Sequence, residues 1–148
     1  MDLDNKNVKK KYDKAIKSLA KLKEALTGLQ TVPHIAQCAQ QDQQTVYKIY
    51  RDSLIQRFEY TFDTTWKYLS EYLQSHGYAI AIKSPKVIFR EGLKAKILSA
   101  DEVRLAIEMI DDRNLTTHGY DEELIETISS KISAYALLLE ATLERTKI

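Results

Sequence analysis

The sequence predicts an all-α protein, an antiparallel up-and-down four-helix bundle with an additional short helix. Apolar residues recur at spacings of three and four over long stretches, which is the period of amphipathic helices. No segment alternates polar and apolar residues as a half-buried strand would. The chain has only 4 Gly and 2 Pro in 148 residues, too few for a turn-rich β-sandwich.

Composition limits the function classes. A chain of 148 residues fits one domain, which we place over residues 1–148. The net charge of +1 excludes a broadly basic nucleic-acid binder, and one Cys excludes an internal disulfide or a cysteine-based metal site. No apolar run approaches the ~18–20 residues of a membrane span, and the charged N-terminus lacks the apolar stretch of a signal peptide. We therefore expect a cytoplasmic protein without a metal or membrane association.

The first half of the chain contains two long periodic segments. The first predicts a helix over residues 8–29, with Gly28 at its C-terminal end. The Gln-rich stretch that follows, residues 30–44, contains a Pro and is predicted to be a loop. A wide stripe rich in Tyr and Phe then predicts a helix over residues 43–75, which ends at Gly77.

Capping signals define the helices of the second half. Ser84 followed by a Pro predicts a helix over residues 85–98, in which Gly92 indicates the close approach of another helix. Ser99 and Glu102 have the spacing of a capping box and begin a fourth helix. Asp121 caps the last helix, which brings the expected number to five.

Charge is unevenly distributed along this half. Residues 83–96 carry five bases and one acid, whereas residues 101–126 carry nine acids and two bases. Such regions could bind a charged substrate or partner, or they could be the solvated faces of amphipathic helices. The candidate binding residues are Lys86, Arg90, Lys94 and Asp121.

The segment Arg113-Asn-Leu-Thr-Thr-His-Gly-Tyr120 contains the main candidate site, at the point where one apolar periodicity ends and another begins. On an unbroken helix Arg113 and His118 would lie about 140° apart around the axis. A break near residues 116–119, permitted by Gly119, would let them converge. The hypothesis therefore requires that the helix unwinds just before Gly119.

Convergence would allow metal-independent cleavage of RNA. His118 could take the proton of a ribose 2′-hydroxyl, and Arg113 could hold the scissile phosphate. In the alternative, Arg113 pairs with Asp111, Asp112 or Glu122, and His118 caps a helix. Tyr120 has its own alternative, in which the ring packs and the hydroxyl forms a hydrogen bond.

These residues resemble a known family. The segment matches the R-x4-H-x-Y signature of HEPN domains, and its flanks resemble the HEPN-like nucleotidyltransferase substrate-binding proteins. The aromatic segment 56–73 looks like the second helix of that family, and the Ser-Pro start at residue 84 resembles the entry to its third. The resemblance covers about residues 10–145.

The resemblance implies an antiparallel helical bundle, usually a homodimer, that acts with a minimal nucleotidyltransferase encoded nearby. In one form the bundle is a ribonuclease toxin, and its partner silences it by transferring AMP from ATP to the motif tyrosine. Arg113 and His118 would then be catalytic, Asn114 a supporting polar residue and Tyr120 the modified hydroxyl. In the other form the bundle is a non-catalytic subunit that presents a substrate. In both, only the partner uses ATP, and the bundle itself holds no cofactor.

Overall fold

The computed structural model describes residues 2–148, and this part of the chain is helical without strands. The six helices are α1 (Asp2–Gln30), α2 (Val32–Cys38), α3 (Gln43–Ser75), α4 (Pro85–Lys94), α5 (Ala100–Leu115) and α6 (Glu122–Arg145). The all-α prediction is therefore confirmed. Four helices form the bundle and two, α2 and α4, are short.

Contacts between helix ends give the direction of neighbouring helices. Lys11, near the start of α1, lies 3.0 Å from Glu71, near the end of α3, so these helices are antiparallel. Arg145, at the end of α6, lies 2.8 Å from Glu102 in the first turn of α5, so these two are also antiparallel.

α3 and α6 run in the same direction. Arg51 in α3 contacts Glu122 at the start of α6, while the Tyr68 hydroxyl further along α3 donates to the Thr146 carbonyl oxygen just beyond α6. In an up-and-down bundle the second and fourth long helices are parallel. The chain therefore has the predicted up-and-down topology.

The Gln-rich stretch is not the loop that we predicted. It contains α2, with Pro33 in the first turn, where the missing N–H costs no helical hydrogen bond. Val32 and Ala36, four residues apart, are buried and hold α2 against the start of α3. Gly28 does not end α1, which continues to Gln30.

The predicted caps are confirmed, but α4 is shorter than expected. Ser84 and Asp121 accept backbone hydrogen bonds as N-caps, and Ser99 forms the capping box with its N3 glutamate. α4 ends at Lys94 because Lys96 takes a left-handed conformation, with φ of 61°.

The core is aromatic and aliphatic, with large side chains from every long helix. Phe58 stacks on Tyr135 with ring centroids 5.6 Å apart, and Phe62 stacks on Phe89 at 6.5 Å. All four rings are almost completely buried, which fixes α3 against α4 and α6. No helix within residues 2–148 combines the length and apolarity that a membrane-spanning segment needs.

Candidate functional site

The predicted helix break occurs between α5 and α6. α5 ends at Leu115, and Thr116 closes it by donating its hydroxyl to the Arg113 carbonyl oxygen at 2.7 Å. A turn follows, in which the Asp121 N–H donates to the His118 carbonyl oxygen at 3.0 Å. Asp121 then accepts from the Leu124 N–H at 3.1 Å and begins α6.

Gly119 does not permit the break in the way that we expected. Its φ lies outside the left-handed region, and a Cβ there would meet only the Thr116 carbonyl oxygen, at 3.8 Å. The two polar caps, Thr116 and Asp121, account for the turn instead. Both satisfy backbone groups that an interrupted helix would otherwise leave unpaired.

Arg113 lies in the last turn of α5 and contacts α3. Its Nη1 is 3.1 Å from Glu59 Oε2 and its Nη2 is 3.2 Å from Asp63 Oδ2. Its Nε is buried and has no hydrogen-bond partner within the described residues. Arg113 is therefore ion-paired, as the alternative for this residue supposed. Its partners are acids of α3, however, and not Asp111, Asp112 or Glu122.

His118 and Tyr120 form an exposed pair on the turn. The imidazole Nδ1 lies 3.1 Å from the phenol oxygen, and the rings meet edge to face with centroids 5.9 Å apart. Tyr120 is 85% exposed, so its ring is not packed as the alternative for this residue supposed, whereas its hydroxyl does form the hydrogen bond that this alternative included. The turn therefore presents a phenol to solvent with a potential base beside it.

The other predicted residues lie in different settings along α4, α5 and the start of α6. Asn114 is exposed at the end of α5, and Asp121 acts as the N-cap of α6. Lys86 lies 2.9 Å from Asp111, whereas Lys94 lies 3.0 Å from the glutamate three residues before it. Arg90 is exposed on α4. Both lysines are therefore already paired with carboxylates.

A buried arginine, Arg51 of α3, holds the start of α6 in place, and the sequence analysis did not predict this role. The Arg51 side chain is 3% exposed, and its guanidinium lies 2.7 Å from Glu122, 2.9 Å from Glu126 and 3.2 Å from Asp52. The hydrogen bond from Arg51 lowers the pKa of Glu122 below its ordinary value of 4.5. Because Glu122 is the first residue of α6, this cluster ties the end of the turn to α3. The sequence did contain a signal for this cluster, because Arg51 is a charged residue within the aromatic apolar stripe of α3.

A second polar network lies inside the bundle next to Arg113. Asp112 is 7% exposed and accepts hydrogen bonds from the buried Tyr135 hydroxyl and, at 3.0 Å, from Lys131. Burial, followed by the bond to Asp112, raises the pKa of Tyr135 above its ordinary value. These groups fix α5 on α6 and do not reach the turn surface.

The described residues contain no group of three or more metal-ligating side chains that could hold a metal ion. The side chains of residues 113–120 include a phenol, an imidazole and a guanidinium. These groups can receive a transferred group, move a proton and hold an anion, respectively.

The fold and this turn together define an all-helical bundle that exposes a tyrosine–histidine pair between its last two helices. Residues 10–148 match the sequence model of the family described as nucleotidyltransferase substrate binding protein like, and the chain belongs to this family.

A protein of known structure has a similar sequence and fold. The chain is similar to a protein from Thermus thermophilus whose crystal structure has been determined, with 36% sequence identity and a TM-score of 0.70. The match covers 90% of this chain and 99% of that one. No protein with a curated description matches the sequence.

Proposed function

We propose that this chain is the helical subunit of a two-component module with a minimal nucleotidyltransferase, and that its Tyr120 hydroxyl receives AMP from ATP. The observation that carries the proposal is the exposed phenol with an imidazole nitrogen 3.1 Å away. The family description supplies the class of partner.

The transfer step balances with the groups on the turn. When the neutral His118 ring carries its proton on Nε2, Nδ1 accepts the phenolic proton as the Tyr120 oxygen attacks the α-phosphorus of ATP. A bond forms between that oxygen and phosphorus, the bond to the β-phosphate bridging oxygen breaks, and pyrophosphate leaves. The nucleotide is held by the partner, so this chain contributes only the nucleophile and the base.

Acidic residues around the turn favour a protein partner over a polyanion. Asp121 and Glu122 follow the turn directly, and Glu59 and Asp63 of α3 form ion pairs with Arg113. Carboxylates in these positions repel the phosphates of RNA and attract a basic protein surface.

Transfer of labelled AMP by the purified nucleotidyltransferase tests the proposal. His118→Asn keeps a polar atom near the Nδ1 position and removes the base, so the rate should fall about 100-fold. His34→Ala, which removes another exposed histidine, should leave the rate unchanged. An unchanged rate in His118→Asn would remove the imidazole from the mechanism, and absence of labelling in the native chain would overturn the proposal.

A second candidate function is that of a metal-independent endoribonuclease. In that case the chain is a toxin, and adenylylation of Tyr120 inactivates it. The observation that favours it is the helix break, which puts an exposed His118 three residues beyond the end of the helix that carries Arg113. In this reaction His118 takes the ribose 2′-hydroxyl proton and the 2′-oxygen attacks phosphorus. The bond from phosphorus to the 5′-oxygen breaks and this oxygen takes a proton from water as it leaves, while the guanidinium of Arg113 neutralises charge on the phosphate.

This second function requires that Arg113 releases Glu59 and Asp63 and binds a phosphate instead. It also involves a homodimer, in which the Arg113–His118 motifs of the two copies together form one ribonuclease site. Expression without the partner tests it, with His118→Ala and His34→Ala as a matched pair. The native chain and His34→Ala should degrade cellular RNA and slow growth, and His118→Ala should do neither. Equal growth and intact RNA in all three would exclude the ribonuclease.

A further inference from the structure

A row of four lysines, which we call the lysine stripe, follows one face of α1. Its members, all exposed, are Lys10, Lys14, Lys17 and Lys21. At 100° per residue they fall within about 60° of one another around the helix, and the row is about 16 Å long. The spacing along the axis is about 4.5–6 Å between neighbours.

The stripe carries uncompensated charge. None of its four ammonium groups forms an ion pair with the side chains of residues 3–148, whereas other bases of α1 do. Two acids of α1 lie one helical turn from members of the stripe, and both have other partners, since Asp13 lies 3.6 Å from Lys9 and Glu24 lies 3.7 Å from Arg57. The stripe therefore differs from α4, where Lys86 is neutralised by an acid of α5.

An exposed aromatic ring of α3 lies beside the stripe. Tyr60 is 52% exposed, and the Lys14 ammonium lies 5.7 Å from its ring centroid. An open depression of about 330 Å³ between α1 and α3 is lined by Tyr60, Lys21 and Arg57, among other residues. A smaller one of about 80 Å³ adjoins Lys14. A row of cations beside a half-exposed aromatic ring supplies the elements that bind a phosphate backbone and stack a base.

We infer that the lysine stripe with Tyr60 is a binding surface for single-stranded nucleic acid. The four lysines bind consecutive phosphates, and Tyr60 stacks with an unpaired base, which a duplex would not offer. The inference is independent of AMP transfer to Tyr120, which is measured by a different assay.

Fluorescence anisotropy with single-stranded RNA and DNA oligonucleotides tests the surface. In the stripe variant all four lysines become Gln, and we expect affinity to fall at least tenfold in low salt. Between about 50 and 200 mM salt the native chain should lose about 50-fold in affinity, and the stripe variant only a few-fold, because four phosphate contacts are absent. RNA and DNA of the same sequence show whether the 2′-hydroxyl contributes.

The matched control replaces four exposed lysines that lie outside the stripe, and its net charge equals that of the stripe variant. Its members are Lys23, Lys83, Lys96 and Lys147. We expect it to bind as the native chain does. Equal losses in both variants, or a loss in the control alone, would overturn the proposal.

Single substitutions at Tyr60 provide a test that does not change charge. Tyr60→Ala should bind about fivefold more weakly than Tyr60→Phe, because only the second keeps a ring that can stack. Equal affinities would contradict the stacking role. No binding of either nucleic acid by the native chain would overturn the proposal, as would a stripe variant that loses only its nucleotidyltransferase partner.

Discussion

Arg51 and Glu122 join the middle of the bundle to the first residue of its last helix, with Nη1 and Oε2 2.7 Å apart. The arginine side chain is almost fully buried, while the glutamate is more than half exposed. The pair therefore positions the turn that carries His118 and Tyr120, although neither charged group belongs to the turn.

The asymmetry of this cluster predicts an order of stabilities. Arg51→Met replaces a buried charge with an apolar chain of similar length and leaves only exposed carboxylates behind. The double variant Glu122→Gln with Glu126→Gln instead leaves the buried guanidinium with Asp52 as its ionic partner. Thermal unfolding should show a lower Tm for the double variant than for Arg51→Met, and the reverse order would contradict the assignment.

Glu102 predicts the acid dependence of stability. Hydrogen bonds from Arg145 and from the Ser99 N–H lower the pKa of Glu102 below 4.5. The folded state therefore gains stability above pH 4.5, and this gain is lost as the pH falls through the lower folded pKa. Urea unfolding should show that Glu102→Gln is less stable than the native chain at pH 7, and that the difference shrinks as the pH falls below 4.5. A constant difference would exclude the charged form as the cause.

The buried hydroxyl of Tyr68 should make the stability of the fold depend on pH in the alkaline range. Burial raises the pKa of Tyr68 from 10.0 to about 12. Because this folded pKa lies above the unfolded one, the stabilisation is complete below pH 10 and is lost as the pH rises from 10 towards 12. Tyr68→Phe should unfold with a flatter pH dependence in this range. A matched Tyr60→Phe variant, at an exposed position, should keep the native slope.

Asp112 predicts the cost of disturbing the interior network. Tyr135→Phe removes one hydrogen bond to a buried carboxylate that keeps Lys131 as a partner, and should cost about 2 kcal/mol. Asp112→Ala leaves the buried hydroxyl without its acceptor and the lysine without its main partner, and should cost more. Chemical denaturation measures both, and a smaller loss in Asp112→Ala would contradict the network.

The sequence contained most of the helix boundaries because caps are local. Three N-cap residues each accept a hydrogen bond from a backbone N–H three residues later, so a short segment of sequence is enough to predict them. They are Ser84, Ser99 and Asp121. α2 was missed because its apolar signal consists of two buried residues in a Gln-rich stretch. The early end of α4 depends on one residue, Lys96, in a left-handed conformation that its side chain does not signal.

The partners of Arg113 could not be predicted from the motif. Asp63 lies 50 positions earlier in the chain, and only the tertiary fold brings the Arg113 side chain of α5 within reach of it. The pair of His118 and Tyr120 is different, because two residues on one turn are close whatever the rest of the fold does. Sequence therefore identified the candidate residues, and the fold determined which of them interact.

The intact mass of the chain after co-expression with its nucleotidyltransferase tests the central claim most directly. The native chain and the Tyr60→Phe control should gain one or more AMP units, and Tyr120→Phe should gain none. An unmodified native chain in a stable complex with the enzyme, or AMP retained in Tyr120→Phe, would contradict the assignment of Tyr120 as the acceptor.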